Sequence, residues 1–272
     1  MGGGAERADE SPAEAAGSMR GGMNTSLAAL ALGVLAIVGG HLLDGGELGA
    51  LLHATALLIV LGGSFSALLL QTPRAVLRRG LAQARCLADD TEPDPETSIQ
   101  SMVEHSRLSR SSGFLALEPA ARSAPDPFLQ RALEMLADGA GPDELRRTLT
   151  IDLETFEASE RQACRIWESL GAYAPTMGII GAVMGLIQVM QNLTQPGALG
   201  SGIAVAFVST LYGVSFANLL FLPLAGRIRA RILDEVRLRR MLLEGFGAVA
   251  EGVHPRLVER RMRGHLAPAE AA

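Results

Sequence analysis

The sequence predicts an all-α integral membrane protein with four transmembrane helices and a large helical cytoplasmic loop between spans two and three. Three observations predict it. Four stretches of the 272-residue chain contain no Asp, Glu, Lys or Arg: residues 27–43, 50–70, 172–190 and 199–225. The basic residues, all of them arginine, avoid two short connections and crowd into the remaining segments. No run of alternating apolar and polar residues competes with the helical periodicity.

The four stretches are read as membrane spans because a spanning helix needs about 20 mostly apolar residues. A soluble core helix would carry a polar face, and these carry none. The first stretch is not read as a signal peptide, since no basic n-region or small-residue cleavage site accompanies it. Two arginines precede the first span, none lies in residues 44–49, twelve lie in 71–171, none in 191–198 and ten after 225. Basic segments stay on the cytoplasmic side. Both termini and the middle segment are therefore placed inside, with the two short connections outside, in a multi-pass membrane protein.

The polar segments follow in order. Residues 1–23 are rich in Gly, Ala and Glu and are read as a disordered extension; Met23 directly before the first span is an alternative start. Residues 24–70 hold spans one and two. Residues 71–171 form a helical cytoplasmic domain. Pro73 suits a first helical position, and Val76, Leu77, Leu81 and Ala84 then recur on one side. Residues 91–97 (TEPDPET) are a linker. Ile99, Met102 and Val103 mark a helix that Gly113 ends. A short helix from Phe128 to Asp138 stops at Gly139. Pro142 opens a long pattern of Leu145, Leu149, Leu153 and Phe156 that runs towards span three. Residues 172–225 hold spans three and four. Residues 226–272 are a helical cytoplasmic tail, amphipathic and basic.

Several function classes are excluded. The net charge of -5 gives no basic footprint for nucleic acid. Cys86 and Cys164 stand in no metal or redox spacing. There is no phosphate-binding glycine loop, no metal-ligand spacing and no nucleophile motif, so neither an enzyme nor a cofactor or metal site is expected.

An intramembrane ionisable group normally marks an ion path, yet the spans hold no carboxylate. Their only candidates, His41 and His53, are placed at the outer ends of spans one and two, where an interfacial role is the simpler reading. An ion pathway here needs an acid from another chain. Gly178, Gly181 and Gly185 fall on one face of span three, and Gly202, Ala206, Thr210, Gly213 and Ala217 lie along span four. Small residues let helices approach closely in lipid. They serve either packing within one subunit or a collar around another chain's helix. Thr210, beside Ser209, either bonds its own backbone or faces an ion or carboxylate. Pro175 is expected to open span three and Pro223 to close span four, each a possible hinge.

Residues 172–193 (AYAPTMGIIGAVMGLIQVMQNL) and 199–225 (LGSGIAVAFVSTLYGVSFANLLFLPLA) resemble the flagellar stator A-subunit family, MotA and its sodium relative PomA, within the MotA/TolQ/ExbB proton channel superfamily. The likeness extends to LLIVLGGSFSALLLQTP at the end of span two, RSSGFLALE in the loop and LLEGFGAVAEGVHPRLVERRM in the tail. It covers the chain from Asn24 to near Leu266. The resemblance implies a homo-pentamer around a dimer of a peptidoglycan-anchored, MotB-like B subunit, whose membrane helix carries the missing aspartate. Ion flux would turn the ring, and the cytoplasmic loop would push a FliG-like rotor switch protein.

By resemblance, Arg110 and Glu118 at the ends of RSSGFLALE are rotor-facing charges, with Asp152 a further charged loop position. Pro175 and Pro223 match two functional prolines, and Thr210 matches a span-four threonine near the partner's aspartate. Sodium-type members carry a threonine where this chain has Ala182, and paired threonines where it has Ser209–Thr210. Ala182 offers no side-chain oxygen, so the transported ion is expected to be a proton. The first 22 residues and Thr176–Met177 depart from the family pattern. A paralogous ExbB/TolQ-like energiser of a non-flagellar process is the alternative function, and a scaffold without flux is a third.

Overall fold

The computed structural model describes residues 12–87 and 94–266, and among them every regular element is helical. The elements are α1 (Pro12–Leu43), α2 (Leu48–Leu51), α3 (Ala54–Leu57), α4 (Gly63–Gln71), α5 (Arg74–Cys86) and α6 (Pro95–Ser112). They continue as α7 (Glu118–Ser123), α8 (Pro127–Ala137), α9 (Pro142–Gln191), α10 (Pro196–Phe216), α11 (Leu222–Ala250) and α12 (Pro255–Arg263). Wide π turns at Leu58–Gly62 and Ala217–Phe221 join α3 to α4 and α10 to α11 without a break.

Three helical runs are long and apolar enough to cross a membrane: Leu48–Gln71, Pro142–Gln191 and Leu199–Ala250. Ala28–Leu43 adds a shorter apolar helix, about 24 Å at 1.5 Å per residue. Three differences from the sequence reading have physical reasons. Residues 12–22, expected to be disordered, are helical, because Pro12 can occupy a first turn and Ala13, Glu14, Ala15 and Ala16 are strong helix formers. Residues 1–11 lie outside the described residues. Pro175 does not open span three; it lies inside the continuous helix α9. Pro223 does not close span four; it sits in the first turn of α11, directly after a π turn. That turn contains Leu219, whose carbonyl a proline at position 223 would otherwise crowd.

The chain divides into two compact units. The first takes in residues 1–90 and 163–228. Its core is Ala56, Val60 and Leu68 of span two, Cys164, Ile166, Trp167, Leu170 and Ala174 of α9, and Val205, Ala206 and Val208 of α10. In α5 the fully covered residue is Gly80, not the expected apolar stripe. A Cβ there would stand 2.7 Å from the Ala163 carbonyl oxygen, and the Gly80 carbonyl accepts from Trp167 Nε1 at 3.1 Å. In the first turn of α4, the buried Ser64 hydroxyl donates at 2.6 Å to the carbonyl of Val60 in the preceding π turn, satisfying a group that lipid cannot.

The second unit takes in residues 91–162 and 229–272. Leu145, Leu149 and Leu153 are buried as the period predicts, with Ile99 and Met102 of α6, Leu133 and Leu136 of α8, Phe246 of α11 and Met262 of α12. Asp94 caps α6 by accepting from the Glu96 and Thr97 amides and the Thr97 hydroxyl. The Thr97 hydroxyl, followed by those amides, holds its carboxyl below the usual range despite partial burial. Arg239 is nearly covered: its guanidinium lies 3.7 Å over the Phe156 ring and pairs with Glu235 at 2.9 Å.

Candidate functional site

In the membrane unit, the small residues of spans three and four are spent on each other. A Cβ on Gly178 would stand 2.8 Å from the Ser209 carbonyl oxygen and 3.3 Å from the Thr210 Cα. One on Gly181 would meet Ser209 Oγ at 2.5 Å; one on Gly185 would meet the Ala206 amide and Gly202 carbonyl, both at 2.6 Å. One on Gly213 would meet the Ala174 carbonyl oxygen at 2.5 Å and the Pro175 Cα at 3.1 Å. Of the two uses read from sequence, packing within one chain is the one these glycines serve. The seam brings Gly178, Gly181, Gly185, Ser209, Thr210, Gly213 and Pro175 together.

Ser209 and Thr210 diverge on α10. Ser209 is fully buried, and its hydroxyl has no hydrogen-bond partner among the described residues. Thr210 is exposed and donates to the Ala206 carbonyl of its own helix at 3.3 Å. Ala182 is half-buried on α9, and Pro223 is exposed at the start of α11. Only Thr210, of the two hydroxyls, lies where another chain can reach it.

Tyr212 is a residue the sequence reading missed. Its hydroxyl donates to the Leu51 carbonyl at 2.5 Å and accepts from the His53 amide at 3.3 Å. It thereby covers the backbone break at Leu52–His53, where both residues are extended. His53, near the start of the helical run Leu48–Gln71, thus joins a residue about 24 Å along α10 from Pro196. A lone phenol inside a charge-free span was the available signal. His41, by contrast, is at the α1–α2 connection, with Nε2 3.2 Å from the Glu47 carbonyl.

In the second unit, Arg110 ends α6 and Glu118 begins α7, separated by Gly113 at φ 80°. Both are exposed. They do not pair with each other. Arg110 Nη1 donates to the Gly252 carbonyl at 2.6 Å, and Glu118 accepts from Arg122 one turn later at 2.5 Å. Asp152 is engaged differently. Both its oxygens accept from Arg131 Nη1 at 2.8 Å, tying α9 to α8. No cluster of three or more metal-ligating side chains occurs among the described residues.

Residues 120–241 match the MotA/TolQ/ExbB proton channel family. Motility protein A of Bacillus subtilis is 32% identical over 243 residues, covering 89% of this chain and 90% of that protein. A structure of C. jejuni MotAB superposes with a TM-score of 0.83 at 27% identity, over 90% of this chain and 96% of that one. The flagellar MotAB stator complex from Bacillus subtilis gives 0.81 at 31% identity, over 90% and 97%. The chain belongs to the MotA/TolQ/ExbB proton channel family, within its motility-protein A members.

Proposed function

We propose that this chain is the A subunit of a flagellar stator. With a MotB-like subunit it forms an ion channel in the bacterial inner membrane, and the flux drives flagellar rotation. It is a motor component and not an enzyme. The observation that carries the reading is the α9–α10 pair. It is sealed along a glycine seam, lacks any carboxylate on its spanning segments, and leaves Thr210 exposed. Such a wall guides an ion only when another chain supplies the acid.

The finer reading follows from the arginines and the loop. Both termini and residues 71–171 lie in the cytoplasm, five copies surround a dimer of the B subunit, and the ion is a proton. The exposed Arg110 and Glu118 meet a FliG-like rotor protein. A contact made and broken at every step suits exposed charges better than a large apolar patch.

Co-purification with a neighbouring gene product that carries one membrane helix, an intramembrane aspartate and a peptidoglycan-binding domain tests the reading. Deletion of this chain is expected to leave assembled filaments that do not turn. Cells that lose their filaments, or keep swimming, would reject it.

A further inference from the structure

We infer that the start of α5 forms a headgroup site for an anionic phospholipid at the end of span two, with Arg74 and Arg78 as the groups that hold the phosphate. This rests on residues 50–70 spanning the membrane and not on the motor role, so it can fail while the stator reading stands.

The charge balance of the first unit sets the site up. The segments that lead out of spans two and four and into span three are residues 71–87, 226–228 and 163–171. They hold six arginines and one carboxylate, Glu168. The described residues of the second unit hold sixteen arginines and eighteen carboxylates, so an arginine there has acids within its own unit. Four of the six are on α5, which contains no acid. Arg74, Arg78, Leu81 and Arg85 recur at i, i+4, i+7 and i+11, one exposed stripe turned away from the buried Gly80. These three arginines make no ion pair with another described residue.

An unpaired guanidinium alone selects no ligand, and here depth does. The Gln71 side chain donates to the Tyr173 hydroxyl at the start of the charge-free stretch of α9. Gly80 lies against Ala163, Ile166 and Trp167. From Tyr173 to those residues is six to ten positions back along α9, so Gly80 stands about 9–15 Å beyond the end of the span. By the same rise Arg74 stands about 0–6 Å beyond it, Arg78 about 6–12 Å, and Arg85 about 17–23 Å. A headgroup layer is about 5–8 Å thick on each face. Arg74 lies within that layer and Arg78 reaches back to it along its stem, whereas Arg85 lies past it.

The surroundings fit a lipid rather than a free anion. Leu69 and Leu70 end the span exposed, Leu70 by 87%, and offer acyl chains an apolar surface beside the arginines. Side chains four apart on a helix have Cβ atoms about 6 Å apart, so both guanidiniums can hold one phosphodiester. Each can do so through two parallel N–H bonds. A zwitterionic headgroup brings its own ammonium into this arginine-rich site; an anionic one does not.

The test uses the full-length chain with its co-purifying partner, in a non-ionic detergent. Dioleoyl phosphatidylglycerol, dioleoyl phosphatidylcholine or inorganic phosphate is added, and bound lipid is counted by native mass spectrometry. Arg74→Gln with Arg78→Gln is compared with each single variant, with Arg74→Lys and Arg78→Lys together, and with Arg85→Gln. Thermal unfolding without added lipid checks the fold. Wild type is expected to hold phosphatidylglycerol at least about fivefold more tightly than phosphatidylcholine, and each glutamine to cost about fivefold. The lysine pair should retain most of the binding, and Arg85→Gln all of it. Equal binding of the two lipids would overturn the inference. So would undiminished binding in the glutamine variants, or an equal loss in Arg85→Gln, which would mean diffuse attraction to a basic surface. Inorganic phosphate that displaces the lipid at equal concentration would overturn it too, by assigning the arginines to a free anion. If the double glutamine variant does not fold, the two single variants decide by the same criterion.

Discussion

Gly185 and Gly202 exclude a side chain on each other across the α9–α10 seam. A Cβ on Gly185 would stand 2.6 Å from the Gly202 carbonyl oxygen, and one on Gly202 would stand 3.0 Å from the Gly185 carbonyl oxygen. The three atoms nearest a Cβ on Gly185 are all backbone, so no side chain there can swing aside. Gly185→Ala is expected to destabilise the pair by about 1–3 kcal/mol through overpacking, and Gly185→Val by more. Membrane protein amount and thermal unfolding in detergent measure it. Wild-type stability in Gly185→Val would mean that the seam is looser than these distances.

Glu118 and Arg110 should separate torque from folding. The Glu118–Arg122 pair is an exposed i,i+4 contact, worth no more than about 0.5 kcal/mol. Glu118→Lys is therefore expected to fold normally and to lose torque, with recovery by opposite reversal on the rotor protein. Normal torque in both Glu118→Lys and Arg110→Glu, at normal stator number, would remove the contact.

Asp152 should behave otherwise. Its carboxylate is held by Arg131, with the two side chains 26% and 57% exposed, so the pair holds α9 to α8 with modest strength. Asp152→Asn and Arg131→Gln are each expected to cost under about 1 kcal/mol and to couple in a double-mutant cycle. Rotation should persist in both. A torque defect in Asp152→Asn that rotor charge reversal rescues would restore Asp152 to the rotor surface.

His105 gives the second unit a pH response. Burial pushes its imidazole below the ordinary value, against a smaller opposing effect from the Glu104 charge. The unfolded chain therefore takes up a proton more readily than the folded one. Stability is full above about pH 6.5 and falls as the pH drops through that value towards the folded one. Melting temperature measured at pH 7.5 and 5.5 should show the fall, and His105→Leu should flatten it. An equal fall in His105→Leu would assign the response to other groups.

The sequence made some of this legible and hid the rest for physical reasons. Leu145, Leu149 and Leu153 recur every four residues, so the inner face of α9 was plain. Gly113 and Gly139 ended helices as expected, with φ of 80° and 77°. Pro175 and Pro223 misled because a proline signals a helix end in water. In an apolar setting neighbouring helices and π turns carry a helix past it. Ser209 and Thr210 are adjacent letters, yet the step of about 100° between them buries the first and exposes the second. The Arg131–Asp152 and Arg110–Gly252 contacts span 21 and 142 residues, and no local pattern announces them.

The proposed proton coupling rests on the oxygens left available. A dehydrated sodium ion needs several oxygen ligands, whereas a proton needs one carboxylate and a hydrogen-bonded path. Ala182 supplies no side-chain oxygen. The Ser209 hydroxyl is enclosed against Gly181, and the Thr210 hydroxyl is directed to its own helix. One exposed hydroxyl suits the proposed proton transfer to an acid supplied by another chain. Replacing external sodium with potassium at fixed pH should leave rotation speed unchanged, while a protonophore should stop it. Ala182→Thr alone should not create sodium dependence, because Ser209 stays out of reach. Rotation lost in potassium, or surviving the protonophore, would assign the channel to sodium.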